Sequence, residues 1–215
     1  MNENKNEAKK RGWFGRRRQK KVPVQKQPPK QLHNYAFIDS QNLNLGVQKV
    51  GWKMDWHKFR EWLRTEYDVE QAFMFIGYLP ENESLYQQMY DHGFLVVLKP
   101  TLEINQVDMP GEKKKEDKPA TKGNIDADLV LHAMKELPNY KKAILVSGDG
   151  DFFGLIEYLA SQNKLEKVLT PNRRYSTLLK DFESHIEDIN AYRRDLAYRD
   201  RRRTSRSQQR PNQAR

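Results

Sequence analysis

Short apolar runs and amphipathic segments alternate along the chain from Tyr35 onward. The runs NYAFID, VEQAFMFIGYL and FLVVLKP predict three strands, at residues 34–39, 69–79 and 94–100. Between them, residues 55–67 and 81–93 have helical spacing of their apolar positions. Asp55 is placed to cap the first of these helices, and Gly93 to end the second.

The same alternation resumes after residue 123. NIDADLVLHAMKELP predicts a helix, KAILVS a fourth strand, and a second helix follows from Phe152 to Gln162. KVLTP then predicts a fifth strand, YSTLLKDFES a short helix and HIEDI a possible sixth strand. Strands that alternate with helices predict an α/β fold, in which a mostly parallel central sheet carries helices on both faces.

One long segment interrupts this alternation. Residues 103–123, EINQVDMPGEKKKEDKPATKG, contain two prolines and two glycines and have no apolar period. A loop of this length inside a compact domain is usually functional or disordered. We therefore expect a charged, flexible loop at about 103–123.

Charge divides the chain into three parts. The net charge of the 215 residues is +10, whereas residues 1–32 carry 11 Lys or Arg and 2 acids (+9), and residues 193–215 carry 9 and 2 (+7). The middle therefore holds 10 − 9 − 7 = −6. We predict a disordered basic arm at 1–33, a domain at 34–190 and a basic tail at 191–215, and a polyanion as the partner of both basic ends.

Aromatic residues stand among the cations of the N-terminal arm. Trp13 and Phe14 lie close to three arginines, Arg16, Arg17 and Arg18. This combination suits stacking on nucleic-acid bases together with contacts to phosphates. A solubilising tail and an anchor on an anionic lipid surface are the alternatives.

The absence of cysteine excludes disulfides, zinc–thiolate sites and thiol nucleophiles. Any metal ligand must therefore be an oxygen atom or an imidazole. The sequence contains no run of 18 or more apolar residues, so no transmembrane segment is predicted. We expect a cytoplasmic location from the absence of targeting signals.

Three aspartates follow predicted strands. Asp39 ends the first strand, and Asp149 and Asp151 come directly after the fourth. In parallel sheets, ligands bind beyond the carboxyl ends of the strands, so these side chains should share one edge. Asp126 begins the preceding helix, on the face expected to pack against the sheet.

Several carboxylates in one small space repel one another unless a cation neutralises them. Mg²⁺ or Mn²⁺ fits because carboxylates and waters are its usual ligands, and such an ion can support phosphodiester hydrolysis. Each acid also has a structural explanation: Asp151 could cap the helix that follows, and Asp126 could suit the positive end of a helix dipole.

Other motifs that bind metals or phosphates fail when they are checked against the sequence. DGDFFGLIEYLA has the first, third and sixth positions of an EF-hand loop, but Phe153 and Ala160 occupy positions that need oxygen ligands. No G-x-G-x-x-G, Walker A or serine-elbow motif occurs. Dinucleotide binding, phosphate-loop hydrolysis and acyl transfer therefore have no support.

Three segments, FIDSQNL, KGNIDADLVLHAM and ILVSGDGDFFGLIEYL, occur in this order on the predicted elements. Together they resemble the NYN domain, a branch of the PIN-like nucleases that includes the LabA-like bacterial proteins. The resemblance spans roughly residues 34–190, and S-G-D-x-D-F after a strand is its most specific part. It implies a central parallel sheet and metal-dependent cleavage of RNA.

The resemblance also implies roles for individual residues. It assigns metal binding and catalysis to the four matching acids, Asp39, Asp126, Asp149 and Asp151. Asn42 would orient Asp39, a ligand water or a phosphate, although a helix cap or turn is the alternative. Lys122 would meet a substrate phosphate, or be a solvated loop lysine. His132 stands where many LabA-like sequences have an acid, and the spacing between Lys122-Gly123 and Asp126 is one residue longer than is common.

Two further cations lie at the same predicted edge. Arg173 and Arg174 follow the fifth strand and precede a helix that Ser176 could cap. They are candidates for binding a nucleic-acid backbone, with a plain surface role as the alternative.

These features predict a Mg²⁺- or Mn²⁺-dependent ribonuclease that acts on single-stranded or flexible RNA, with the basic ends raising the local RNA concentration. Association with a ribonucleoprotein is possible. One alternative is a non-catalytic RNA-binding or regulatory protein with this fold. The other is a phosphohydrolase of small phosphate esters, which the many distributed cations disfavour.

Overall fold

The centre of the fold is a parallel sheet. In the computed structural model, which describes residues 31–100 and 125–199, the sheet has six strands. They are β1 (Asn34–Asp39), β2 (Val69–Tyr78), β3 (Leu95–Pro100), β4 (Ala143–Val146), β5 (Leu165–Thr170) and β6 (Ile186–Asp188). Their spatial order is β3-β2-β1-β4-β5-β6, and every neighbouring pair is parallel. The predicted α/β architecture is confirmed.

Helices follow the strands and cover both faces of the sheet. The α-helices of the described residues are α1 (Ser40–Lys49), α2 (Trp56–Tyr67), α3 (Glu83–Asp91), α4 (Ile125–Lys135), α5 (Phe153–Ser161) and α6 (Arg193–Leu196). Short 3₁₀ segments lie at Pro80–Asn82, Gly150–Phe152, Thr177–His185 and Ile189–Tyr192.

Alternation along β1 separates two hydrophobic cores. Ala36 and Ile38 face a core that also contains buried side chains of α1, α2, α3 and α6. Tyr35 and Phe37 face the opposite core, with side chains of α4 and α5. Since successive side chains of a strand point to opposite faces, one fully buried strand supports both cores.

The helix boundaries follow the predicted caps. The Asp55 carboxylate accepts a hydrogen bond from the Lys58 N–H (3.2 Å) at the start of α2. Gly93 has a φ of +85°, a conformation that glycine adopts without strain, and α3 ends just before it. Both predictions are confirmed.

Two elements differ from the sequence pattern. α1 was not predicted, because SQNLNLGVQK is rich in amide side chains and buries few residues, Leu43, Gly46 and Val47 among them. The segment expected as a short helix at 175–184 is 3₁₀ in form, with a kink at Phe182.

The fold extends past residue 190, where the sequence pattern placed the start of the basic tail. Leu196 is buried in the same core as α1 and α2. Its carbonyl accepts a hydrogen bond from the Asp55 N–H (2.8 Å), and Ala197 forms an antiparallel bridge with Met54. Residues 193–199 thus close one side of the domain, although their charge resembles that of a tail.

Several sequence-based expectations lie outside the described residues: the N-terminal arm, the loop at about 103–123 and the chain beyond residue 199. Among the helices in the described part of the chain, none has the length and apolar character needed to cross a membrane.

Candidate functional site

The strand order reverses between β1 and β4, at the middle of the sheet. The connections that leave these two strands diverge, because α1 covers one face of the sheet and α5 the other. Such a switch point opens a crevice at the carboxyl ends of the strands, where ligands bind in open α/β sheets. Asp39 and the segment after Val146 lie at this point.

Asp39 is the last residue of β1, and only 8% of it is exposed. One carboxylate oxygen, Oδ1, accepts a hydrogen bond from the Asn42 N–H (3.0 Å) and so caps α1. The other, Oδ2, accepts from the Ser147 hydroxyl (3.1 Å). The side chain is therefore held by α1 on one side and by the segment after β4 on the other.

Ser147 was not singled out by the sequence analysis. It is buried directly after β4, and its hydroxyl oxygen also accepts a hydrogen bond from the Asp149 N–H (3.2 Å). One hydroxyl therefore joins Asp39 to the backbone of Asp149. The available signal was its place in VSGDGD, between an apolar strand and the two acids.

Asn42 connects α1 to the loop after β4. Its side-chain oxygen accepts a hydrogen bond from the Gly148 N–H (2.9 Å), while its own N–H donates to Asp39. The side chain thus holds the acidic loop, and the backbone orients Asp39. The described side-chain contact of Asn42 is thus with Gly148, and its contact with Asp39 is the backbone cap of α1.

Asp149 and Asp151 differ in their surroundings. The Asp149 carboxylate accepts a hydrogen bond from the Asp151 N–H (3.1 Å) and caps the 3₁₀ turn Gly150–Phe152. Asp151 is exposed. The capping role that the sequence suggested for Asp151 thus belongs to Asp149.

The four acids share one electrostatic environment. Burial raises the pKa of Asp39 above its ordinary value; hydrogen bonds from Asn42 and Ser147 oppose this, and the charges of Asp126 and Asp149 add to it. Burial also raises the pKa of Asp126, and the charges of Asp149 and Asp151 raise it further. The charges of Asp126 and Asp149 thus disfavour the ionised form of Asp39.

A metal ion would relieve this repulsion, and the oxygen donors suit Mg²⁺ or Mn²⁺. No group of three or more His, Asp or Glu side chains in the described ranges is arranged to hold an ion by itself. Mg²⁺ is commonly bound through one or two carboxylates, with waters completing its shell. The donor set fits that type of site rather than a closed protein cage.

Two other polar residues of α4 have structural partners. Asp128 forms an ion pair with Lys99 of β3 (2.9 Å). His132 donates from Nδ1 to the Asp128 carbonyl (3.0 Å) and lies near the rings of Phe73 and Phe75. His132 is thus a half-buried histidine that packs against aromatic rings.

Arg173 and Arg174 line a cleft of about 520 Å³ beside the acids. The cleft shares Asn42 and Gly148 with the acidic site and also includes Lys49. The Arg173 side chain is 92% exposed and lies 3.6 Å from the Asp188 carboxylate. The two arginines follow β5 and therefore lie at the carboxyl edge of the sheet, as predicted.

Five candidate nucleic-acid-binding residues lie outside the described residues: Trp13, Arg16, Arg17, Arg18 and Lys122.

Comparison with known proteins agrees with this architecture. The family model of the NYN domain matches residues 35–194. The low amplitude and bright protein LabA of Synechococcus elongatus is 23% identical over 161 residues, which cover 73% of this chain and 83% of LabA. The crystal structure of a Vibrio parahaemolyticus protein of unknown function has a TM-score of 0.56 and 22% identity, covering 80% of this chain and 100% of that chain. The chain therefore belongs to the NYN-domain family.

Proposed function

We propose that this protein is a divalent-metal-dependent ribonuclease that hydrolyses phosphodiester bonds of single-stranded or flexible RNA. The observation that carries the proposal is the hydrogen-bonded link from Asp39 through Ser147 to Asp149 at the switch point of an NYN-family sheet. Membership of a PIN-like nuclease superfamily supports RNA cleavage as the activity.

One or two carboxylates of the group Asp39, Asp126, Asp149 and Asp151, together with waters, would hold Mg²⁺ or Mn²⁺. When bound, such an ion supplies an activated water and stabilises the charge that develops on the phosphate oxygens. Asp39 contributes a fixed carboxylate, because Ser147 and the Asn42 N–H bond its two oxygens. A carboxylate offers about four lone-pair positions, so two hydrogen bonds leave room for a further contact.

Cations around the acidic site would bind the RNA backbone. Arg173 and Arg174 line the adjoining cleft, where they can contact phosphates on one side of the cleaved bond. Lys122 and the basic arms would add contacts that are independent of RNA sequence. Asn42 would act mainly by positioning the loop that carries Asp149.

Replacement of Asp149 tests the proposal. We expect wild-type protein to cleave end-labelled RNA with Mn²⁺ and to lose this activity in EDTA, while Asp149→Asn cleaves at least about tenfold more slowly, as metal-site changes commonly do. Asp181→Asn is the matched control, since Asp181 is an exposed aspartate of the 3₁₀ segment Thr177–His185. Equal Mn²⁺-dependent cleavage by wild type and Asp149→Asn would exclude this mechanism.

A non-catalytic RNA-binding protein is the second candidate. It is favoured by the lack, within the described ranges, of three acidic or histidine side chains arranged around one point. This alternative predicts RNA binding that depends on the basic arms and no cleavage at any Mn²⁺ concentration.

A further inference from the structure

A second cavity, of about 490 Å³, lies on the other side of α1 from the arginine cleft. We call it the α1–α3 hollow. Its walls are mainly apolar and come from α2, β2, α3 and the loop between them: Trp56, Met74, Ile76, Leu79, Leu85 and Met89. Its volume falls in the range of about 300–1,000 Å³ that is typical of small-ligand sites.

The hollow adjoins the acidic site. Ser40 and Ile125 line it, and they follow Asp39 and precede Asp126 in the chain. The Ser40 hydroxyl donates to the Phe75 carbonyl (2.7 Å), which fixes the start of α1 against β2. The lining of the hollow thus includes the immediate chain neighbours of two of the acids.

Three carboxamide side chains also line the hollow, from Gln41, Asn44 and Asn82. The Asn44 side-chain oxygen accepts from Gln48 (3.0 Å), which leaves the Asn44 amide hydrogens available. Each carboxamide carries both donors and an acceptor. Apolar and aromatic walls with such groups match the flat faces and polar edges of a nucleobase.

We propose that the α1–α3 hollow receives one unpaired purine base of the RNA strand, with adenine as the best match. Asn and Gln side chains pair with the N6 and N7 groups of adenine, and Trp56 supplies an aromatic surface within the walls. The inference rests on the proposed action on RNA, and it adds a base preference next to the cleaved bond.

A binding experiment without cleavage tests the hollow. Full-length protein in EDTA is titrated into short fluorescein-labelled oligoadenylate or oligocytidylate, and anisotropy gives the two affinities. We expect about a tenfold preference for oligoadenylate, the size of one good base contact. Leu85→Trp should fill the hollow and abolish the preference. The matched control, Leu95→Trp, should keep it, since Leu85 and Leu95 are similarly exposed (39% and 41%) and Leu95 lies on β3 outside the hollow.

A second variant preserves the volume of the hollow. Gln41→Leu removes one carboxamide, so the preference should fall severalfold while binding of oligocytidylate is unchanged. Gln88→Leu, at an exposed position of α3 outside the hollow, is its control. Since Gln41 is exposed, this variant tests the inference even where Leu85→Trp fails to fold.

The outcomes separate this inference from the proposed function. Equal affinities in the wild type, or a preference that both hollow variants retain, would overturn the base site and leave the hollow to another occupant, such as a protein partner. A preference lost in both variants, in a protein that does not cleave RNA with Mn²⁺, would support the base site and reject the ribonuclease. Mn²⁺-dependent cleavage of RNA by a protein that shows no base preference would support the ribonuclease and reject the base site.

Discussion

At the scale of single residues, Asp39 combines burial with two hydrogen bonds to its carboxylate. Both hydrogen bonds favour the charged form, yet burial and two neighbouring acids outweigh them, and the pKa is raised. The folded protein therefore holds a proton at Asp39 more tightly than the unfolded chain does.

This shift makes a prediction about stability and pH in EDTA. Relative to Asp39→Asn, the free energy of unfolding of the wild type should fall as pH rises from the ordinary value of 3.8 through the raised pKa, and then level off. Urea unfolding of both proteins across a pH series measures the difference. Added Mn²⁺ should reduce this loss of unfolding free energy. If the unfolding free energy of the wild type relative to Asp39→Asn rises with pH instead, the raised pKa of Asp39 is contradicted.

Ser147 gives a second prediction at this scale. Ser147→Ala leaves the Asp39 carboxylate and the Asp149 N–H without their shared partner. We expect a loss of about 1–3 kcal/mol in unfolding free energy and of about 10–100-fold in Mn²⁺-dependent cleavage. Ser161→Ala is the control, because it removes one exposed hydrogen bond to the Tyr158 carbonyl. It should change the unfolding free energy and the cleavage rate far less.

Residue types and strand ends were enough to name the acids as candidates, but not to show which groups hold them in place. Asp39 and Asp149 end apolar runs, which the sequence displays directly. The link through Ser147 joins residues 108 positions apart, so it depends on β1 and β4 becoming neighbours. The assignment of the cap to Asp149 rather than Asp151 depends on a 3₁₀ turn that the helical pattern did not indicate.

At the scale of elements, α1 packs closely against the loop after β5. A Cβ atom added to Gly46 would lie 2.4 Å from Pro171 Cβ, and the Gly46 carbonyl accepts a hydrogen bond from the buried Asn172 side chain (2.8 Å). This contact sets the distance between α1 and the loop after β5. Gly46 and Asn172 both line the arginine cleft, so this distance also sets the width of the cleft.

Gly46→Ala should therefore destabilise the protein by about 1–3 kcal/mol through overpacking. Gly154→Ala is a matched control in α5, where an added Cβ meets nothing within 4 Å. That control should be neutral or stabilising by up to about 1 kcal/mol, because alanine favours a helix over glycine. Thermal and urea unfolding of the two variants measure the contrast, and a stable Gly46→Ala protein would contradict the close contact.

The period of apolar residues predicted the strands and the helices with wide apolar faces. It missed α1, whose few buried residues are separated by exposed and half-buried amides. It also gave the strands without their spatial order, since that order is set by how the connecting helices cross the sheet. The prediction that Asp39, Asp149 and Asp151 share one edge of the sheet thus came from the fold class alone, without the position of the crevice between β1 and β4.

At the scale of the whole molecule, charge is segregated: residues 1–32 carry +9 and residues 193–215 carry +7, against −6 between them. The acidic middle repels RNA at long range, and the basic ends attract it. The affinity for RNA should therefore depend more on the ends and on salt than on the surface of the domain.

The double change Arg17→Ala and Arg18→Ala tests this distribution. The plot of log affinity for single-stranded RNA against log salt should lose about 1.4 in slope, at about 0.7 for each phosphate contact. Lys135→Ala with Lys141→Ala is the control, because Lys135 ends α4 and Lys141 precedes β4, both away from the acidic edge. An unchanged slope in the arginine variant would show that these residues do not contact RNA.

The anchoring of the acidic site in the two central strands has a consequence for local unfolding. The hydrogen bonds from Gly148 N–H to Asn42 and from Asn42 N–H to Asp39 join the start of α1 to β1 and to the loop after β4. Segments held by a buried core open near the free energy of global unfolding, whereas many binding loops open readily. Amide hydrogen exchange at Asn42 and Gly148 should therefore be among the slowest outside the strands, so that the site keeps its shape when no ligand is bound.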